Sequence, residues 1–238
     1  VGAVRIRKEV LPFVGIVAVL GTCMGLVLDS LMYGVSLFLL GTACLLYFFR
    51  DPDRTPPPDT GVILSGADGR VMSVTTLKEN MYLKTQCVRI SVFLSLCDVH
   101  VNRAPLSGQA TFLGYFPGLR NFAFRAKASE TNQHNKILIH GSGTRCLIAQ
   151  IVGPIARRVV YWLSHETPTP VRAGDRIGMM KFGSRLDIYL PASEVDVICK
   201  PSDKVRAGET IIAKIKSVGV QSGSTDTTNN GERASVTQ

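Results

Sequence analysis

Residues 181–191 read Lys-Phe-Gly-Ser-Arg-Leu-Asp-Ile-Tyr-Leu-Pro, and the pair Gly183-Ser184 within them could let the chain attack itself. Glycine tolerates backbone geometry that other residues resist, and the hydroxyl of the next residue can reach the carbonyl just before it. The chemistry that follows is an N-to-O acyl shift, in which Ser184 attacks its own peptide bond. Downstream, Leu186, Ile188 and Leu190 alternate with Asp187 and Tyr189, the period-two pattern of a strand. Taken alone, a Gly-Ser pair in front of a strand reads as a turn. Two further candidates lie upstream. Asp68 sits in an Ala-Asp-Gly turn, and His100 sits in a strand-like run and titrates near working pH, as a general acid or base should. On their own, these are a hairpin turn and a structural histidine.

The elements that must position these residues differ along the chain. With 238 residues and 45% hydrophobic content, there is room for one sizeable domain and something extra. The extra is at the start. Residues 10–28 and 31–49 are uncharged runs separated only by Asp29 and Ser30, and 19 residues of helix span about 28 Å, close to the hydrocarbon thickness of a bilayer. A tight transmembrane helical hairpin is expected. A cleaved signal peptide would not be followed at once by a second apolar run. Whether the hairpin crosses or dips into one leaflet stays open, because the connection is short and Pro12, Gly15, Gly21 and Gly25 soften the first helix. Arg5, Arg7 and Lys8 precede the runs, and Arg50 and Arg54 follow them. The positive-inside rule therefore puts both ends on the cytoplasmic side of the cell membrane.

Cys23 and Cys44 lie in the apolar runs, while Cys87, Cys97, Cys146 and Cys199 lack CxxC spacing. Neither a zinc site nor a disulfide scaffold is expected, and the thiols read as reduced and buried. The net charge of +9 fits nucleic acid, an anionic membrane or a solvated basic surface. Few aromatics interleave with basic residues, so no nucleic-acid partner is expected, and attraction to acidic lipid head groups is the better account beside a membrane hairpin.

Residues 51–58 (DPDRTPPP) read as an extended, semi-rigid spacer. Val- and Ile-rich runs at 87–96, 136–140, 146–152 and 157–163 read as strands, with a short helix at 123–132. Val171-Arg172-Ala173-Gly174-Asp175-Arg176-Ile177 recurs as Val205-Arg206-Ala207-Gly208-Glu209-Thr210-Ile211, which predicts two quasi-symmetric hairpins. The expected fold is mainly β, a sandwich or barrel with hammerhead-like repeated hairpins. The expected organisation is a membrane-anchoring hairpin at 1–50, a linker at 51–60, a catalytic β domain at 61–216 and a disordered tail at 217–238.

Several blocks in order resemble the short bacterial form of the phosphatidylserine decarboxylase proenzymes. They are Phe48-Phe49-Arg50-Asp51-Pro52, Ser65-Gly66-Ala67-Asp68-Gly69-Arg70-Val71, Asp98-Val99-His100-Val101-Asn102-Arg103-Ala104-Pro105, Lys127-Ala128-Ser129-Glu130, Gly153-Pro154-Ile155-Ala156-Arg157-Arg158 and the Gly183-Ser184 segment. The resemblance implies that Ser184 attacks the Gly183 carbonyl and that β-elimination and hydrolysis leave a pyruvoyl group at position 184. The chain then becomes a β chain (1–183) and an α chain (184–238). It further implies a Schiff base between that ketone and the serine amine of phosphatidylserine, loss of carbon dioxide, protonation by a general acid and release of phosphatidylethanolamine. No metal is implied, and assembly into a homo-oligomer stays open.

By the same resemblance Asp68 orients a catalytic histidine, with Ser184, Gly183, His100 and Asp68 as the site. The chain departs from the larger members, which carry two histidines three residues apart, because Arg103 follows His100 at that spacing. Either His100 serves both stages, or Arg103 stabilises charge and the base comes from elsewhere, with His165 in reserve. His134 and His140 receive no role. Arg157, Arg158 and Arg185 are phosphate partners only as far as arginine chemistry goes.

The rival reading is a membrane-tethered biotinyl- or lipoyl-like carrier or adaptor, since the Val-x-x-Gly-x-x-Ile repeat and Met179-Met180-Lys181 resemble the setting of a modified lysine. The spacing to Lys181 is wrong for that pattern, and it leaves Gly183-Ser184 and His100 unexplained.

Overall fold

The computed structural model describes residues 3–119, 128–153, 159–181 and 184–216. Gly183, Arg157, Arg158, the tail at 217–238 and the first half (123–127) of the expected helix at 123–132 lie outside the described residues.

Two helices, α1 (Leu11–Val27) and α2 (Leu31–Phe48), form the hairpin, and the spans Lys8–Val27 and Leu31–Phe48 are long and apolar enough to cross a membrane. Pro12 falls in the first turn of α1, where its missing N–H would have no partner anyway, so it starts the helix rather than softening it. Gly21 and Gly34 let the helices touch: a Cβ on Gly34 would sit 2.5 Å from the Gly21 carbonyl oxygen.

The hairpin is closed at its base. Strand β1 (Val4–Ile6) pairs antiparallel with β2 (Arg50–Pro52), so the expected spacer begins as a strand. Asp51 is fully buried there, ion-paired with Arg7 at 3.5 Å, Arg103 at 3.4 Å and Arg176 at 2.7 Å. Three guanidiniums compensate the removal of one carboxylate from water.

The β domain contains β3 (Val62–Leu64), β4 (Gly69–Glu79), β5 (Thr85–Leu94), β6 (Val101–Arg103) and β7 (Gly108–Phe116). After the short α3 (Ala128–Thr131) come β8 (His134–His140), β9 (Arg145–Val152), β10 (Val160–Tyr161), β11 (Thr169–Val171) and β12 (Arg176–Met179). The last are β13 (Ser184–Pro191), β14 (Val195–Val197), β15 (Lys204–Val205) and β16 (Ile211–Ile215). Eight strands make one sheet in the order β11-β7-β8-β9-β13-β5-β4-β15, while β10-β12-β6 and β14-β16-β3 make two three-stranded sheets. The eight-stranded order ends at β11 and β15, so these strands form an open sheet rather than a ring. Ile177 of β12, Ile63 of β3 and Ile212 of β16 share one core with Ile90, Ile148 and Ile188 of the large sheet.

The repeat is a correction to the expected hairpins. The arms of each copy lie in different sheets: β11 pairs with β7 but β12 with β6 and β10, and β15 pairs with β4 but β16 with β3 and β14. Each copy is a corner that carries the chain from the large sheet to a small one. Gly174 (φ +87°) and Gly208 (φ +73°) supply the left-handed turn that such a corner requires. The thiols need correcting too. All six are free, but Cys23, Cys44 and Cys97 are exposed and only Cys87, Cys146 and Cys199 are buried.

Candidate active site

Strand β13 lies at the centre of the large sheet, hydrogen-bonded to β5 on one side and β9 on the other. Its first residue, Ser184, is fully buried and stands opposite Leu94 and Val152. The Ser184 hydroxyl donates to the Lys181 carbonyl at 3.5 Å. By the two-residue period, Ser184 shares a face with Leu186 and Ile188, which belong to the main core. A reacting group here is held by a ladder on both sides and shielded from water.

One step away is a polar pair inside that apolar layer. Gln150 of β9 stands opposite Leu186, on the Ser184 face, and its Nε2 donates to Asn102 Oδ1 of β6 at 2.8 Å. Both side chains are fully buried, and among the described residues Asn102 Nδ2 and Gln150 Oε1 have no partner. Exchanging amide nitrogen and oxygen on both still leaves one donor and one acceptor unpaired. Each such atom in an apolar core costs about 1–3 kcal/mol, an arrangement typical of sites that receive a polar group.

His100 immediately precedes β6. Its carbonyl accepts the Met180 N–H at 3.1 Å, which ties it to the segment leading into Ser184. The ring is fully buried, Nδ1 lies 2.9 Å from the Asp98 carbonyl oxygen, and among the described residues Nε2 has no partner. That bond fixes the proton on Nδ1 and leaves the Nε2 lone pair free to accept one. Burial pushes the imidazole down to about 4, helped by the nearby Arg50 charge and opposed by Asp98. At neutral pH His100 is therefore uncharged, ready to take a proton before it can give one.

Asp68 stands in the corner before β4. Its Oδ1 accepts the Ala207 N–H at 2.8 Å and its Oδ2 accepts from Arg54 at 2.8 Å. Burial raises its pKa despite the Arg54 charge. These two bonds, rather than one to His100, are its described contacts. Asp68, Asp98, Arg50 and Arg54 line one polar pocket of about 530 Å³.

The remaining candidates fall elsewhere. The Arg103 guanidinium is occupied by the Gly174 carbonyl at 2.8 Å, the Pro52 carbonyl at 2.9 Å and Asp51, so it serves the architecture. His165 sits edge-on to Phe112 and Tyr161. His134 stacks on Phe116 opposite Ile151, on the other face of the sheet from Ser184, and His140 is exposed at the end of β8. Arg185 pairs with Asp187 at 2.9 Å, which also accepts from Ser129 at 2.6 Å, again on that other face. Lys181 is half-buried with its ammonium 5.3 Å over the Phe13 ring, unlike a lysine presented for modification.

Sequence reasoning missed Asn102 and Gln150. Their signal was a polar residue at alternate positions of Asp98-Val99-His100-Val101-Asn102, and a lone glutamine in the apolar run 147–152. It also missed Arg50, which follows α2 and lines the polar pocket beside Asp68 and Asp98.

The profile of phosphatidylserine decarboxylases matches residues 42–213, which contain Asp68, His100 and Ser184. The chain belongs to the phosphatidylserine decarboxylase family. Relatives named phosphatidylserine decarboxylase proenzyme include one from Carboxydothermus hydrogenoformans, 41% identical over 85% of this chain and 91% of that one. Another, from Desulfotalea psychrophila, is 36% identical over 89% and 97%. A third, from Salinibacter ruber, is 45% identical over 74% and 77%. In this family member the base of the apolar helical hairpin packs on the site: Phe48, Phe49 and Val10 form one buried cluster with Met179, next to the Met180 that bonds His100. Fully burying each such side chain contributes about 1.5–3 kcal/mol, enough to seat the site at the foot of the helices.

Proposed function

We propose that Ser184 is the residue this chain converts into its pyruvoyl group, with His100 as the proton carrier and the hairpin holding the site at the membrane. The activity is that of the family, pyruvoyl-dependent decarboxylation of phosphatidylserine to phosphatidylethanolamine after autocatalytic cleavage of a Gly-Ser bond. The observation that carries the assignment is a buried serine at the head of the central strand, with a neutral histidine tied to the segment before it.

In the first stage the Ser184 hydroxyl attacks the Gly183 carbonyl and His100 Nε2 takes the hydroxyl proton. The peptide C–N bond breaks as the ester C–O bond forms, and the protonated imidazole returns the proton to the departing amine. β-Elimination then releases residues 1–183 as the β chain with a carboxylate end. Water replaces the nitrogen at position 184 as ammonia leaves, and the α chain is 184–238. Residue 184 fits the resulting group because it is enclosed, held by two strands and faces the layer containing unpartnered polar atoms of Asn102 and Gln150.

When present, the pyruvoyl group supplies a ketone that draws off the electron pair as carbon dioxide leaves. The chain's own residues do the rest. His100 carries a proton to the substrate carbon, the Asn102–Gln150 pair offers one donor and one acceptor to the polar head, and the core around β13 excludes water. Asp68 acts across the polar pocket by holding Arg54 and setting the local charge. The basic flanks Arg5, Arg7 and Lys8 support a cytoplasmic face for the 61–216 unit.

Ser184→Ala tests the assignment. The variant should fold, reach the membrane, stay one uncut chain and release no carbon dioxide from phosphatidylserine. Normal cleavage or normal turnover would defeat the role given to Ser184.

A further inference from the structure

The mechanism leaves an apolar groove of about 690 Å³ unused, lined by Val17, Gly41, Cys44, Tyr47, Phe48 and Leu96 among others. It differs from an ordinary lipid-facing helix surface in being built from two parts. One wall is the α1–α2 hairpin, and the other is the turn between β5 and β6. Leu96, at the tip of that otherwise polar turn, is 56% exposed, a large apolar side chain held against the foot of the helices. The floor is Phe48, whose ring also packs 4.2 Å from the His100 ring. One side chain therefore separates the groove from the catalytic histidine.

Arg50 stands at the groove's inner end. Its guanidinium lies 3.9 Å over the Tyr47 ring and is held by the carbonyls of Tyr47 and Cys97, both at 2.6 Å. Tyr47 and Cys97 line the groove as well as the polar pocket that contains Asp68 and Asp98. Among the described residues Arg50 has no carboxylate partner, whereas Arg54, Arg103, Arg176 and Arg206 each have one. A fixed guanidinium without a counter-ion, between an apolar groove and a polar pocket at the end of a membrane helix, matches a phospholipid in charge and in order of parts.

We propose that one acyl chain of the substrate phospholipid lies in the groove between α2 and the β5–β6 turn, with its phosphate on Arg50, so that the serine head enters the polar pocket beside His100. This rests on the decarboxylase reading. Continuity with a bilayer argues for the occupant, because the groove opens on two helices long and apolar enough to cross one.

The test compares the full-length enzyme on dioleoyl phosphatidylserine in phosphatidylcholine vesicles and on monomeric dihexanoyl phosphatidylserine, whose chains are too short to fill the groove. Cys44→Trp fills the groove from an exposed position, and Leu39→Trp places the same bulk on the exposed surface of α2 outside it. Cys44→Trp should lower the long-chain to short-chain ratio of kcat/KM by about ten-fold, chiefly through the long-chain KM, and Leu39→Trp should leave the ratio unchanged. Arg50→Ala should raise KM for both lipids by about ten-fold, with partial recovery in Arg50→Lys. All four variants should still cleave themselves, since cleavage needs no lipid. An unchanged ratio in Cys44→Trp, an equal loss in Leu39→Trp, or an unaltered KM in Arg50→Ala would overturn the proposal. A wild-type enzyme that is cleaved but inactive on both lipids would sink the decarboxylase reading itself, and the groove's substrate with it.

Discussion

The corner at Asp68 and the corner at Ser107 are built alike and differ in charge. Each leads from a small sheet into the large one, β3 to β4 and β6 to β7, and each meets one copy of the Val-Arg-Ala-Gly repeat. Ala104 accepts the Gly174 N–H and donates to the Asp175 carbonyl, both at 2.8 Å, while Ser65 accepts the Gly208 N–H at 2.9 Å and donates to the Thr210 carbonyl at 2.8 Å. Ser107 accepts the Ala173 N–H at 2.9 Å, just as Asp68 accepts the Ala207 N–H at 2.8 Å. Glycine follows in both places because a Cβ would overlap a neighbouring strand's carbonyl, that of Phe93 at Gly69 and that of His140 at Gly108. The hydrogen bond is thus architectural, and a neutral hydroxyl suffices for it. The surplus at Asp68 is a buried carboxylate with a second oxygen on Arg54, lining the polar pocket that is proposed to take the serine head. On the proposed mechanism, that difference separates fold from function within one motif.

Arg103 gives the largest expected effect, because it joins the two corners. Its guanidinium bonds the Gly174 carbonyl and its stem lies against Gly208. Arg103→Leu should destabilise the protein by about 3 kcal/mol, since it strips a charge partner from buried Asp51 and leaves two carbonyls unmet. Chemical denaturation would show this, and a loss of activity with stability intact would instead return Arg103 to the chemistry.

The pH dependence of stability comes next. Burial keeps folded His100 neutral down to about pH 4, whereas an unfolded histidine takes a proton near 6.5. Between those values the unfolded state binds more protons, so stability should fall as pH drops below about 6.5, by roughly 3 kcal/mol once below pH 4. His100→Gln should flatten that slope. Asp68, with its raised pKa, works in the opposite sense, losing stability as pH rises through its own titration.

Asp68→Asn keeps an oxygen for the Ala207 N–H and removes only the charge. Cleavage or turnover should fall about 100-fold with little change in melting temperature, equivalent to about 2.7 kcal/mol. Unchanged rates would make the two corners equivalent after all. The smallest effect belongs to Ser107→Ala, which should cost about 1 kcal/mol of stability and leave kinetics within about two-fold.

The legible parts of the chain were those governed by local pattern. The uncharged runs became α1 and α2, the alternation after Ser184 became β13, and the repeat's glycines took positive φ. The illegible parts depended on partner choice. The repeat arms read as hairpins because sequence shows a turn between strands but not which sheet each strand joins. The segments at 65–70 and 104–109 share little beyond glycine, so their equivalence emerges only from backbone bonds to the repeat. Asp68 read as a histidine partner, yet Arg54 and Ala207 hold it, and neither is near it in sequence. Arg185 looked available as a phosphate partner until β13 turned it to the face opposite Ser184, toward Asp187.

The central claim is that this chain makes its own catalytic group at residue 184, and intact mass of the purified protein after denaturation tests it most directly. The account predicts two chains broken between residues 183 and 184, with the 184–238 chain blocked at its amino terminus by a pyruvoyl group. A single uncut chain of full mass with an unmodified Ser184, under conditions where phosphatidylserine is still decarboxylated, would contradict it.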